Sequence, residues 1–116
     1  MKEVDVIDLQ SNAIKYIYKG DFSSNVHLTK LHLSDNLIHS IDEHSFLSNE
    51  KLTYLDLRRN RLAIISQDTF DGLVNLKFLM LDSNNLVKIH PKSFTSLLEN
   101  FKNALELEKV CFFVTF

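Results

Sequence analysis

Hydrophobic positions along this chain recur with a period of 24 residues. The clearest unit is LTYLDLRRNRLAIISQDTFDGLVN, residues 52–75, and the stretches 4–27, 28–51 and 76–99 align under it without a gap. Leu52, Leu55 and Leu57 hold its first, fourth and sixth places. That alternation predicts a short strand with one buried face. Further apolar places follow at Leu62, Ile65, Phe70 and Leu73, so apolar groups recur around the whole unit and no long helix fits there. A fixed period of this length predicts a solenoid, in which each unit buries its apolar side only by stacking on its neighbours.

Two columns are uniform across the four units. Asn12, Asn36, Asn60 and Asn84 hold the ninth place, and Phe22, Phe46, Phe70 and Phe94 the nineteenth. The bend after each strand leaves backbone groups pointing inward without a sheet partner, and an amide side chain can both donate to and accept from them. The four asparagines are therefore expected to be buried, as a ladder between coils. The phenylalanines are expected to form a spine along the convex side, as core rather than as a cofactor box.

The pattern LxxLxLxxNxLxxIxxxxFxxL resembles the leucine-rich repeat family, over about four-fifths of the chain. The resemblance implies an α/β horseshoe segment, with a short parallel sheet of four strands on the concave face and irregular or short 3₁₀ convex connections. The whole chain, residues 1–116, reads as one such domain, with repeats at 4–27, 28–51, 52–75 and 76–99 and a degenerate cap or tail at 100–116. In that tail Asn100 and Asn103 stand where the repeat demands apolar residues. Leu97, Leu98, Phe101, Ala104 and Leu105 fall at helical spacing, which predicts an amphipathic C-terminal helix over about 97–109. The closing CFFVTF is far short of the roughly 20 apolar residues that cross a bilayer, so no membrane insertion is expected of this segment.

At the other end the first repeat starts at Val4, leaving no room for a signal peptide or a cap. Val4, Ile7, Leu9, Ile14, Ile17 and Phe22 would then present an apolar face, open to self-association or to further repeats. Cys111 is the single cysteine, which excludes an intrachain disulfide and any CxxC motif and suits a reducing compartment. Against this, a 24-residue repeat with phenylalanine at its nineteenth place is similar to the variety in Toll-like receptor ectodomains, Slit-type guidance proteins and insect adhesion proteins. That similarity implies secretion, cysteine-rich caps and often N-glycosylation, yet no asparagine here is followed by x-Ser/Thr. A fragment or short isoform of an extracellular or cell-surface protein reconciles these clues; the alternative is a small cytoplasmic repeat adaptor.

The period also places surface residues, because equal positions in successive repeats should lie on adjacent strands about 4.8 Å apart. The third column is Val6, Lys30, Tyr54 and Phe78; the fifth is Asp8, His32, Asp56 and Met80. Arg58 and Asp82 belong to the seventh column, Asp35 and Arg59 to the eighth. Tyr54, Phe78 and Met80 beside Arg58, Arg59 and Arg61 combine the residue types that dominate interface hot spots. The candidate ligand-binding set on the concave face is therefore Lys30, His32, Tyr54, Asp56, Arg58, Arg59, Phe78 and Met80, with a protein as the partner. The plainer alternative is cross-strand pairing that supports the sheet. Lateral ion pairs Asp35–Arg59 and Asp82–Arg58 are expected to offset the arginine charge. His32, between Asp8 and Asp56, could act as an acid-sensing element or a divalent-ion ligand, with an ordinary charge ladder as the alternative.

A net charge of −2 argues against a general nucleic-acid binder. His27, His39, His44 and His90 fall at four different repeat positions, so no metal site and no cofactor is expected. There is no glycine-rich phosphate loop, GxSxG or HExxH motif, and no nucleophile with a base placed beside it, so no enzyme is expected. Protein recognition through the concave face is the function the sequence favours, with a stacking or homo-oligomerising repeat unit as the alternative.

Overall fold

A computed structural model describes residues 3–95 and 97. It contains eight short strands: β1 (Val6–Asp8), β2 (Tyr16–Ile17), β3 (Lys30–His32), β4 (Ser40–Ile41), β5 (Tyr54–Asp56), β6 (Ile64–Ile65), β7 (Phe78–Met80) and β8 (Lys88–Ile89). The three-residue strands form one parallel sheet in the order β1-β3-β5-β7. Its register places Val6, Lys30, Tyr54 and Phe78 side by side, each 24 residues from the next. The described coils thus stack as a solenoid, with one strand of the parallel sheet from each 24-residue unit. A second set of two-residue strands, which the sequence pattern did not suggest, pairs as β2-β4 and as β6-β8. The helix expected over 97–109, the tail 100–116 and Cys111 lie outside the described residues, apart from Leu97, which is buried.

The middle residue of each long strand points inward, and its neighbours face out. Leu31, Leu55 and Leu79 are buried, and Leu28, Leu33, Leu52, Leu57, Leu76 and Leu81 join them from the strand flanks. Each such side chain contributes about 1.5–3 kcal/mol when fully removed from water. The phenylalanines stack along the opposite side, with centroids 6.3, 6.5 and 6.0 Å apart from Phe22 through Phe94 and planes within 16° of parallel. In the first coil Ile17 and Phe22 are buried, against the expectation of a wholly bare apolar face; Ile7, Leu9 and Ile14 are half-buried and Val4 and Val6 exposed.

The asparagine ladder has one repeated geometry. Asn60 Nδ2 donates to Leu33 O of the preceding coil at 2.9 Å and to Leu57 O of its own at 3.1 Å, while its Oδ1 accepts from Ile38 N at 3.0 Å. Asn36 and Asn84 repeat this pattern one coil back and one coil on. Burial is uneven, which corrects the expectation of four buried amides. Asn36 and Asn60 are buried, Asn84 is half-buried and Asn12 is exposed. Asn12 Nδ2 donates only within its own coil, to Leu9 O and Gln10 O, because no described coil lies on its far side. The residue before each asparagine bends the chain through the left-handed region: Ser11, Asp35, Arg59 and Ser83 have φ between 53° and 59°. Their position is where the strand must turn inward, and the amide at the next residue holds the turn.

Candidate functional site

The outward side of the long sheet carries the sequence-predicted residues as two rows. Lys30, Tyr54 and Phe78 are adjacent in one, His32, Asp56 and Met80 in the other. Tyr54 bridges the rows through its ring, 5.0 Å from the His32 ring and 6.0 Å from that of Phe78. Tyr54, Phe78, Met80 and His32 are all half-buried, so their edges remain open to a partner. Burial and the nearby Asp56 carboxylate hold the Tyr54 hydroxyl above its ordinary range.

Asp56 departs from its expected role. Only 2% of it is exposed. Its carboxylate accepts Arg58 Nε at 3.0 Å, Arg58 Nη2 at 2.8 Å and the Arg58 backbone N–H at 3.0 Å. Two residues apart on an extended chain, the pair lies on one face of the strand, which favours Asp56 over the expected Asp82. These hydrogen bonds push the Arg58 guanidinium further above its usual range. Arg59 does meet its expected partner, with Nε 2.6 Å and Nη2 2.8 Å from the two oxygens of Asp35 on the adjacent coil. The bond to Arg59 holds Asp35 below the ordinary carboxylate range.

His32 loses the arrangement that suggested acid sensing or ion binding. Asp8 turns to Gln10, accepting its backbone N–H at 3.1 Å and its side-chain amide at 3.0 Å, and Asp56 is held by Arg58. What remains on the sheet is a belt of aromatic and thioether groups flanked by two guanidinium groups, each fixed by a carboxylate. Fixed side chains of this kind reduce the ordering cost of binding.

A second group stands at the convex turn between the second and third coils, made by a histidine and carboxylates rather than by several histidines. Glu43, His44 and Asp68 have ligating atoms within 4.8 Å of one another. His44 and Asp68 are 24 residues apart, so they share a column and meet across one coil interface. No described helix is long and apolar enough to cross a membrane.

Among curated proteins no sequence matches this one. Among solved structures, the crystal structure of the TLR13–ssRNA13 complex superposes with a TM-score of 0.75 at 35% identity, over 79% of this chain and 13% of that one. The chain thus spans about an eighth of that receptor's chain. A family model described as "Leucine rich repeat" matches residues 26–86, more than half of the sequence. With the 24-residue register of the sheet and the asparagine ladder that closes each coil, this chain belongs to the leucine-rich repeat family.

Proposed function

We propose that this chain is a protein-binding repeat module that recognises a protein ligand through its concave face, as part of an extracellular receptor of Toll-like type. The observation that carries the reading is the belt Tyr54–Phe78–Met80, half-buried on a rigid parallel sheet and flanked by Arg58 and Arg59. Aromatic and arginine groups held in place are the usual anchors of an interface. The structural likeness to TLR13 supports the Toll-like assignment and an extracellular or endosomal location. That receptor was solved with ssRNA13, but here both belt arginines are paired with carboxylates and the net charge is −2. A protein partner fits this balance better than a polyanion.

A second reading, a stacking unit for further repeats or for a second copy, draws on β1, which among the described residues pairs only with β3 and exposes Val4 and Val6. Two variants separate the readings. Photo-crosslinking of the purified chain to extracellular proteins of its native tissue, alongside light scattering of the chain alone, is compared for Tyr54→Ala/Met80→Ala and for Val6→Lys. Loss of the crosslinked partner only in the former supports the concave face. Self-association abolished by Val6→Lys, with no partner that responds to the belt substitution, supports stacking and overturns the first reading. A single-stranded RNA oligonucleotide bound by the chain and released by the belt substitution would replace the protein ligand with nucleic acid.

A further inference from the structure

The second rail of short strands is interrupted between the second and third coils: β4 pairs with β2 and β6 with β8, but β4 and β6 do not pair. A cleft of about 530 Å³ opens there, lined on one wall by His39, Ser40, Asp42 and Glu43 and on the other by Ile64 and Thr69. Backbone pairing across this interface resumes at the convex turn, where His44 N–H donates to Asp68 O at 3.1 Å. At that point the side chains of the two coils converge. His44 Nδ1 lies 3.1 Å from Asp71 Oδ2, and His44 Nε2 lies 3.9 Å from Asp68 Oδ2. Glu43 brings a third ligating atom within 4.8 Å of the others.

The two ring nitrogens have different roles. An ionised carboxylate only accepts hydrogen bonds, so Asp71 places the imidazole proton of the neutral ring on Nδ1 and leaves Nε2, 3.9 Å from Asp68 Oδ2, as the nitrogen with a lone pair. This is the arrangement in which a carboxylate behind a histidine orients it toward a metal ion. A separation of 3.9 Å between Nε2 and Asp68 Oδ2 is too long for a hydrogen bond. It is close to the roughly 3.3 Å that separates two ligands held about 2.0 Å from one tetrahedral ion. The His44 and Asp68 side chains are 34% and 38% exposed, so they have the freedom to close the difference.

We propose that Glu43, His44 and Asp68 form a binding site for a divalent transition ion of the zinc class, with Asp71 as the positioning residue behind His44. One imidazole nitrogen and two carboxylates suit such an ion better than calcium or magnesium, which take oxygen ligands throughout. Glu43 and His44 come from the second coil and Asp68 from the third. The ion therefore ties the two coils together beside the gap in the second rail, and its binding stabilises the fold by linkage. Repeat register accounts for the convergence: His44 and Asp68 are equivalent positions in successive repeats, as are Tyr54 and Phe78 on the other face.

The test is titration of the chelator-treated full chain with Zn²⁺ by calorimetry, in a Cys111→Ser background so that the thiol contributes nothing, with melting temperature read in parallel. One ion per chain is expected, with a rise in Tm of about 5 °C at saturation. His44→Gln and Asp68→Asn should each weaken binding at least tenfold, Asp71→Asn should weaken it less, and His39→Gln on the cleft wall should leave it unchanged. Should either ligand variant lose its β-sheet circular dichroism, Glu43→Gln, on an exposed side chain, replaces it. A folded chain that takes no Zn²⁺, a titration unchanged in the ligand variants, loss of binding in His39→Gln, or Ca²⁺ bound as tightly as Zn²⁺ would each overturn the site.

Discussion

Arg58 covers the carboxylate of Asp56, two residues before it on the same chain, with contacts of 3.0 and 2.8 Å from its guanidinium and one of 3.0 Å from its backbone N–H. The two partners differ in exposure: 3% of the Asp56 side chain reaches solvent and 33% of Arg58. Asp56 is thus an acid on the outward face of the sheet, kept from water by the guanidinium that covers it. Arg58 has a structural duty apart from any ligand, and its removal cannot be read as a binding effect alone.

Replacing Arg58 by Met should leave that buried carboxylate without its partner. Breaking a fully buried pair costs 3–5 kcal/mol, but water can reach this one through the exposed arginine, so a loss of about 2 kcal/mol is expected. Urea unfolding measures it. A loss below about 0.5 kcal/mol would class the pair with screened surface bridges, and the Asp56 carboxylate would then be free to turn outward.

The asparagine column predicts a graded series. Asn60→Ala removes bonds to Leu33 O, Leu57 O and Arg58 O and orphans Ile38 N, all at a buried site. Some of these carbonyls keep sheet or ladder partners, so the expected loss is about 3 kcal/mol rather than the sum over every bond. Asn12→Ala, at an exposed position with bonds only inside its own coil, should cost under about 1 kcal/mol. Equal losses in thermal melts of the two variants would mean that the ladder acts within each coil and not between coils.

The period carried most of this fold, because a 24-residue register fixes neighbours as firmly as covalent spacing does. It places Tyr54 against Phe78 and Asp35 against Arg59, as the structure has them. It misjudged Arg58, because column reasoning weighs partners on adjacent strands and overlooks the residue two places away on the same face. It also said nothing of Asn49, fully buried where the third repeat has Leu73. There Asn49 Nδ2 reaches back to Phe22 O and Asn25 O, each at 3.1 Å, so a polar residue fills an apolar place by finding carbonyls. The second rail was invisible for a different reason: two-residue strands are too short to show an alternation. The histidine and carboxylates at the convex turn were legible in principle, since His44 and Asp68 share a column, but scattered histidines look unrelated until both faces are read by register.

Gly72 is required by two independent constraints. Its φ of 96° lies where side chains are disfavoured, and a Cβ there would stand 2.6 Å from Leu47 Cα and 2.8 Å from Leu47 O on the preceding coil. Backbone cannot yield as a flexible side chain can. Gly72→Ala is expected to destabilise by at least about 2 kcal/mol, from the strained dihedral and the forced separation of the coils together. Gly20, whose Cβ would meet nothing within 4 Å, should accept alanine with little change. A chemical denaturation pair of the two variants checks the contrast, and equal effects would remove the close approach of coils as its cause.

The Asp35–Arg59 pair has a pH signature whose sign is fixed by the direction of the shift. Asp35 is held below its ordinary value of 3.8, chiefly by the hydrogen bonds from Arg59. The unfolded chain therefore takes up this proton first as pH falls, and folding loses stability in that direction. The contribution is complete above pH 3.8 and is lost as the pH drops through the lowered folded-state value. Arg59→Gln keeps a side chain at this left-handed position, φ 53°, while removing the charge. The difference in melting temperature between the chain and Arg59→Gln should hence be constant from neutral pH down to about 4 and shrink below it. One molar salt should reduce the plateau, since both partners are open to solvent and the screening length falls to about 3 Å. A difference that instead grew on acidification would show that the unfolded chain, not the folded one, holds Asp35 ionised, and the pair would then have no part in joining the second coil to the third.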